Sequence, residues 1–253
     1  MEFIVLGAAP AYTDRPGSAA SSYLLRVDGA NLLLDLGHGS LANLAATIEP
    51  STLSAILVSH LHPDHFIDLV PLRHYLKWEF RPSRRVRVYG PAGLAGRIDA
   101  LNGEPGFTAE AMDVETLAEG VRRIGPFEVE ARRVAHTDES YAFRVAPAAS
   151  NGDARPLGLI YSGDCSRAED LLPLIRPGDT LLTEATFGAG PVAPGAQHMT
   201  SGDAARAAAS GGAARMLVTH VLSGHSREET VAAARAAFSG PVQLVTEGDR
   251  FEI

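Results

Sequence analysis

The sequence predicts an α/β fold in which two mixed β-sheets are covered by helices, and three observations lead there. Apolar runs of strand length open the chain as hairpins, and later runs alternate with stretches of helical spacing. No linker-like composition shift separates the two parts, so residues 1–253 are expected to form one domain. The residues with metal-binding chemistry stand at or just past the C-terminal ends of the strand-like runs, where α/β proteins build sites on a rigid scaffold. With 253 residues, 45% of them hydrophobic, the chain is long enough for a substantial core.

Taken in order, EFIVLG is a short apolar run closed by glycine and reads as the first strand. SSYLLRV and NLLLDLG flank Asp28-Gly29, a turn signal that predicts a hairpin. LSAILVSH is a buried strand that delivers His60 at its end. FIDLVPLRHYLKWEF has helical spacing, with Pro71 marking a kink or a restart. RVRVYG and EVEARRVAH alternate as half-exposed strands do, and the second ends on His136. PLGLIYSGD ends on Asp164, SRAEDLLPLI reads as helix, and TLLTEAT follows as strand. ARMLVTH ends on His220, SREETVAAARAAF is helical, and PVQLV reads as the last strand.

Composition excludes several classes. The formal net charge is −8, which argues against a broad basic face for extended nucleic acid. A lone cysteine, Cys165, rules out an internal disulfide and a cysteine-built zinc knuckle, and it reads as a small packed residue. The first residues have no basic n-region, and no apolar run reaches membrane-spanning length, so a cytoplasmic protein with no membrane partner is expected.

The segment SHLHPDHF, residues 59–66, holds His60, His62, Asp64 and His65. Imidazoles crowded this closely make sense around a cation. His60 and His62, two apart in extended backbone, project to one side, and Pro63 then favours a turn. Asp64 and His65 lie past that turn, placed to serve an adjacent second ion. Further ligands must come from elsewhere: His136 and His220 are the candidates, and Asp164 could bridge through its two oxygens. Imidazole and carboxylate without thiolate suits zinc, with manganese or iron possible. Two such ions about 3.5–4 Å apart can hold both ends of an in-line displacement.

HLHPDH followed by later His, Asp and His resembles the HxHxDH motif of the metallo-β-lactamase superfamily. LGAAPAYTDRPGSAASSYLL, LLLDLGHGS, LLTEATF, HMTSGDAARAA and LVTHVLSGHS resemble its ribonuclease Z-like branch. The resemblance implies an αββα sandwich with two Zn2+ at one edge. It implies His60, His62 and His136 on one metal, Asp64, His65 and His220 on the other, and Asp164 between them. It also implies a homodimer. In that branch the histidine matching His198 sits beside the scissile phosphate. Here His198 precedes a helix start that Thr200 and Asp203 could cap. Asp64 and His198 are therefore the candidate catalytic residues. Asp35 and Glu184 could orient ligands, and His38 and His225 could line the pocket. His74 and the arginines Arg81, Arg84, Arg85 and Arg87 read as surface residues.

The expected activity is a phosphodiesterase acting on a small anionic phosphodiester, a cyclic nucleotide or a short nucleotide. A tRNA 3′-processing endonuclease is the neighbouring alternative. It is disfavoured because the branch's tRNA-binding members carry a long basic arm, where this chain has only APAASNGDARPLG. A hydrolase of thioesters or lactones and a non-hydrolytic metalloprotein of a cofactor pathway are the remaining alternatives.

Overall fold

The computed structural model describes residues 1–149, 155–193 and 195–253. The first sheet is built from β1 (Glu2–Gly7), β2 (Ser22–Val27), β3 (Ala30–Leu34), β4 (Leu53–Leu57), β5 (Val86–Gly90) and β6 (Met112–Thr116). Between these strands lie α1 (Ser40–Thr47), α2 (Pro63–Phe66), α3 (Leu69–Trp78) and α4 (Leu94–Asn102). The second sheet is built from β7 (Gly120–Ile124), β8 (Phe127–Arg133), β9 (Tyr141–Pro147), β10 (Leu159–Tyr161), β11 (Thr180–Glu184), β12 (Arg215–Thr219) and β13 (Val242–Leu244). Its helices are α5 (Ser201–Gly211) and α6 (Arg227–Ala237), and β14 (Arg250–Glu252) returns to the first sheet. The strand orders are β14-β1-β2-β3-β4-β5-β6 and β13-β12-β11-β10-β9-β8-β7. Each sheet begins in the chain with antiparallel pairs and continues with parallel ones.

Alternate strand residues point to opposite faces, and here both faces are covered. Phe3, Val5, Leu32 and Leu34 meet Phe127, Val129, Phe143 and Leu182 between the sheets. Ile4, Leu33 and Ile56 turn outward onto Leu44, Leu72 and Ile98 of the first helices. Ile160, Leu181 and Met216 turn outward onto Ala204, Ala208 and Ala234 of α5 and α6. The result is the αββα sandwich. Among the described residues no helix is long and apolar enough to cross a membrane.

Several local expectations are met. Val27 pairs with Ala30 across Asp28 and Gly29, whose φ values of 49° and 80° suit a two-residue hairpin turn. Thr200 and Asp203 form a complete capping box on α5. Pro71 makes no kink, because it is the third residue of α3, where its missing N–H would have had no helical partner. Two expectations fail. SRAEDLLPLI forms only a 3-10 turn, Ala168–Leu171. Pro173 cannot donate to a helix, and the segment is bound sideways: Ser166 N donates to Ala135 O, and Ala135 N to Asp170 Oδ2. PVQLV is not the last strand either, since β14 follows it and pairs with β1.

Candidate metal centre and adjacent histidine–glutamate pair

The site lies where strand ends from both sheets converge. Asp35 directly follows β3, His60 follows β4, His136 follows β8, Asp164 follows β10, Glu184 ends β11 and His220 directly follows β12. His62 precedes α2 as its N-cap, and Asp64 and His65 lie in its single turn. Gly37 permits the close approach that seats this turn, since a Cβ there would lie 2.0 Å from the carbonyl oxygen of Asp64. Asp35 and His220 both adopt φ 57°, in the left-handed region that non-glycine residues enter at a cost of about 1–3 kcal/mol. That two site residues carry this strain fits a site whose geometry is held by its surroundings.

Two nests of ligand-type atoms result. His60, His62, His136 and Asp164 bring one donor atom each within 4.8 Å of one another, and so do Asp64, His65, Asp164 and His220. Asp164 belongs to both. Its Oδ2 lies 3.6 Å from His60 Nε2 and 3.7 Å from His136 Nε2. Its Oδ1 lies 3.4 Å from His65 Nε2 and 3.6 Å from His220 Nε2. Asp64 Oδ2 closes the second nest, 3.2 Å from His220 Nε2 and 3.5 Å from His65 Nε2.

The outer nitrogens of the histidines are committed elsewhere. His65 Nδ1 donates to Asp35 Oδ2 at 2.7 Å, and His136 Nδ1 to the carbonyl of Gln197 at 2.8 Å. Because these partners only accept, Nδ1 carries a proton and Nε2 is the nitrogen that faces the nest. His220 Nδ1 lies 2.9 Å from Thr186 Oγ1, which itself donates to Glu184 Oε2 at 2.6 Å, so the same tautomer follows. Ser59 Oγ bonds Asp35 Oδ2 at 2.8 Å and lies 3.1 Å from His60 Nδ1. Tyr161 OH donates to Asp35 Oδ2 at 2.7 Å.

The electrostatics ask for cations. Asp35, Asp64, Asp164 and Glu184 are all buried, and their only ion-pair partners among the described residues are histidines. Buried carboxylates without a counter-charge are expensive. Burial works against the charged form of His65, yet Asp164 and Asp35 outweigh it and raise its pKa well above the ordinary value. Burial would raise the Asp64 and Asp164 carboxyls, but the surrounding histidines hold both well below the usual range. His60 moves the other way: burial, aided by His65, keeps it neutral and therefore a competent donor. His60 Nε2, His65 Nε2 and Asp164 Oδ1 are buried with no hydrogen-bond partner. Orphaned donors around a shared carboxylate are what divalent ions would satisfy, so these residues fit such a group.

Glu184, His198 and His220 also approach one another. Here the carboxylate is already saturated. Oε1 accepts from Cys165 N and His198 Nδ1, each at 3.0 Å, and Oε2 accepts from Thr186 N at 2.9 Å and Thr186 Oγ1 at 2.6 Å. His198 is thus a hydrogen-bonded imidazole beside the nests, its Nδ1 3.8 Å from Asp164 Oδ2. Burial opposes its charged form, but Glu184 and Asp164 more than offset this and raise its pKa. Bound cations would pull it back down.

The other sequence candidates fall outside these groups. His38 is half-buried in the turn before α1 and joins neither nest. His225 is half-buried, its ring edge-on to Phe187 at 6.4 Å, and also joins neither. His74 is exposed against Phe107. Cys165 is buried, with burial pushing its thiol up to about 12. Arg85 and Arg87 pair with Asp113 and Glu115, and Arg84 lies over Phe80. Sequence reasoning missed Ser59, Tyr161, Thr186 and the carbonyl of Gln197. Of these only Ser59 and Thr186 had a signal, through their closeness in sequence to His60 and Glu184.

Residues 30–221 match the family model described as the beta-lactamase superfamily domain. The chain belongs to the metallo-β-lactamase superfamily. An uncharacterized Mycobacterium leprae protein is 34% identical over 245 residues, covering 94% of this chain and 84% of the relative. Ribonuclease Z of Haloarcula marismortui is 25% identical over 300 residues, covering 98% of this chain and 95% of the relative. The crystal structure of the metallo-β-lactamase fold protein YhfI from Bacillus subtilis superposes with a TM-score of 0.86 at 24% identity, covering 99% of each chain. Human tRNase Z, short form, gives 0.72 at 23% identity, covering 100% of this chain and 99% of that one. These similarities put the chain in the ribonuclease Z-like branch of the superfamily.

Proposed function

We propose that this chain is a metal-dependent phosphodiesterase acting on a small phosphodiester, a cyclic nucleotide or a short nucleotide. The observation that carries this reading is the Glu184–His198 pair, a proton-bearing imidazole held at 3.0 Å by a saturated carboxylate and set against the nests without belonging to them. His60, His62, His136 and Asp164 would hold one divalent ion, and Asp64, His65, His220 and Asp164 the other. The donor set suits zinc best, with manganese or iron also accommodated. When bound, such ions supply Lewis acidity toward phosphoryl oxygens and lower the pKa of water.

The chain's own residues do the rest. Asp35, held by Ser59 and Tyr161, fixes the ring of His65, and Thr186 fixes that of His220. With Nδ1 given to Glu184, His198 has its Nε2 free of hydrogen bonds to described residues, so it can donate a proton to a departing alkoxide. Glu184 favours the charged form of that imidazole and so opposes the pull of the nearby cations. Cleavage of an alkyl phosphodiester needs such a proton, because an alkoxide is a poor leaving group.

Three features favour a small substrate over tRNA. The net charge is −8. Arg85 and Arg87 are already paired. Only residues 148–158 connect the antiparallel β9 and β10, although residues 150–154 of that short insertion lie outside the described residues. The test is metal analysis together with turnover of bis-p-nitrophenyl phosphate, cyclic nucleotides, precursor tRNA, nitrocefin and a thioester. About two ions per chain and turnover confined to the small phosphodiesters are expected. Efficient thioester or nitrocefin hydrolysis without phosphodiester cleavage overturns the reading, and efficient trimming of precursor tRNA overturns its substrate class.

A further inference from the structure

Beside His220 a cavity of about 420 Å³ opens between the loop after β1, the residues following β12, and the end of β13. Its wall carries Arg15 and Arg227. Most arginines on this acidic chain are paired, as in Arg85–Asp113, Arg144–Asp179 and Arg206–Asp203. Arg15 and Arg227 have no carboxylate within 4.0 Å and no side-chain hydrogen bond among the described residues. Glu247 also lines the cavity, but its Oε1 accepts from Ser18 Oγ at 2.8 Å and Ala19 N at 3.0 Å. The cavity therefore holds two guanidinium groups against one carboxylate.

The cost of this placement falls on Arg227. Arg227 is half-buried, and its charge is disfavoured first by burial and then by Arg15, which outweigh the favourable field of Glu247, Glu228 and Asp249. It is also the first residue of α6, where the helix dipole disfavours a cation. Arg15 is exposed, and an anion bound between the two guanidiniums would be attracted by both. The cavity touches the centre through one residue: His220 is part of its lining, and the backbone N of His220 is held at 3.0 Å by the carbonyl of Ala8.

We propose that Arg15 and Arg227 form a subsite for a second phosphate group on the substrate, so that the preferred small phosphodiester is a linear one bearing a terminal phosphomonoester. This rests on the phosphodiesterase reading above and narrows it, since a cyclic mononucleotide has no second phosphate. The guanidiniums supply planar, paired donors to the terminal phosphate, and the scissile diester then lies on the His220 side.

The experiment compares dithymidine, TpT, with its 5′-phosphorylated form, pTpT, on the metal-loaded protein. A hydrogen bond to a charged group is worth about tenfold to a hundredfold. The ratio of kcat/KM for pTpT over TpT should therefore be about 10–100, carried by KM. It should fall toward one in Arg15→Met and in Arg227→Met. A ratio near one in the parent protein, or one unmoved by both substitutions, overturns the proposal. Calorimetric binding of thymidine 5′-monophosphate gives a readout without turnover. If neither dinucleotide is cleaved, the linear-substrate assignment fails, and the phosphodiesterase reading fails with it only where bis-p-nitrophenyl phosphate and cyclic nucleotides are not cleaved either. The subsite still stands if both substitutions weaken monophosphate binding, and falls if neither does. Arginine-dependent binding of inorganic phosphate with a pTpT ratio of one would make the cavity an effector site, and that also overturns the assignment to substrate.

Discussion

Asp164 and Glu184 invite comparison. Both are buried at the C-terminal ends of neighbouring parallel strands, β10 and β11, and both face histidines. Glu184 is closed: its two oxygens accept from two backbone amides, a hydroxyl and an imidazole, at 2.6–3.0 Å. Asp164 is open: imidazole nitrogens surround it at 3.4–3.8 Å without hydrogen-bonding it, and its Oδ1 has no partner. A saturated carboxylate can position a neighbour and tune its charge. An unsaturated one among lone pairs needs a cation. The same residue chemistry on adjacent strands therefore does two different jobs, and hydrogen-bond completeness separates them.

Asp164→Ala tests the open member and should have the largest effect. It removes the carboxylate common to both nests, so metal content should drop below two per chain. Activity should fall by at least the ~10²–10⁴-fold that a general acid contributes. Elemental analysis, turnover and circular dichroism check this together. A folded variant that retains its metals and its rate would show that Asp164 is not shared between ions.

His198→Ala tests what the closed member serves. Metal content should hold, while kcat on an alkyl phosphodiester falls by about 10²–10⁴-fold. The loss should be much smaller on a p-nitrophenyl ester, whose leaving group departs without a proton. Equal losses on both substrates with metals retained would remove His198 from the role of acid. Glu184→Gln should follow the same pattern more weakly, with about a 10–100-fold loss on the alkyl substrate, as for other groups that orient a reacting residue. If its metal content falls as far as that of Asp164→Ala, Glu184 is a ligand and the contrast between the two carboxylates collapses.

Much of the first-contact chemistry was legible because local spacing encodes it. The His60–His65 segment, the strand-end positions of His136, Asp164 and His220, and the Thr200–Asp203 cap all follow from neighbours in sequence. What supports them was not legible. Tyr161 meets Asp35 across a separation of 126 residues, and nothing in either segment announces the partner. The fold shows the same division. Buried strands such as β4 and β12 are apolar runs, whereas β6 and β7 close one edge of each sheet and are half-exposed, so their mixed sequences MDVET and GVRRI do not stand out. SRAEDLLPLI had the composition of a helix, but Pro173 and the contacts with Ala135 hold it as turns.

The smallest effect concerns how His198 is held. Two restraints act on it: the hydrogen bond from its Nδ1 to Glu184, and the start of α5 two residues later at the Thr200 cap. Losing an N-cap hydroxyl costs about 1 kcal/mol. For a chain of this size that lowers Tm by roughly 2–4 °C. The backbone around His198 is also tied by Phe187 N to Met199 O at 3.4 Å and Ser201 N to Gly188 O at 2.8 Å, neither of which needs the Thr200 side chain. Thr200→Ala should therefore melt earlier while keeping the difference between alkyl and p-nitrophenyl substrates that His198 creates. Thermal melting and the ratio of the two rates check it. Should the ratio fall to that of His198→Ala in a protein that is still folded at the assay temperature, the helix cap and not Glu184 fixes the imidazole, and the closed carboxylate loses its positioning role.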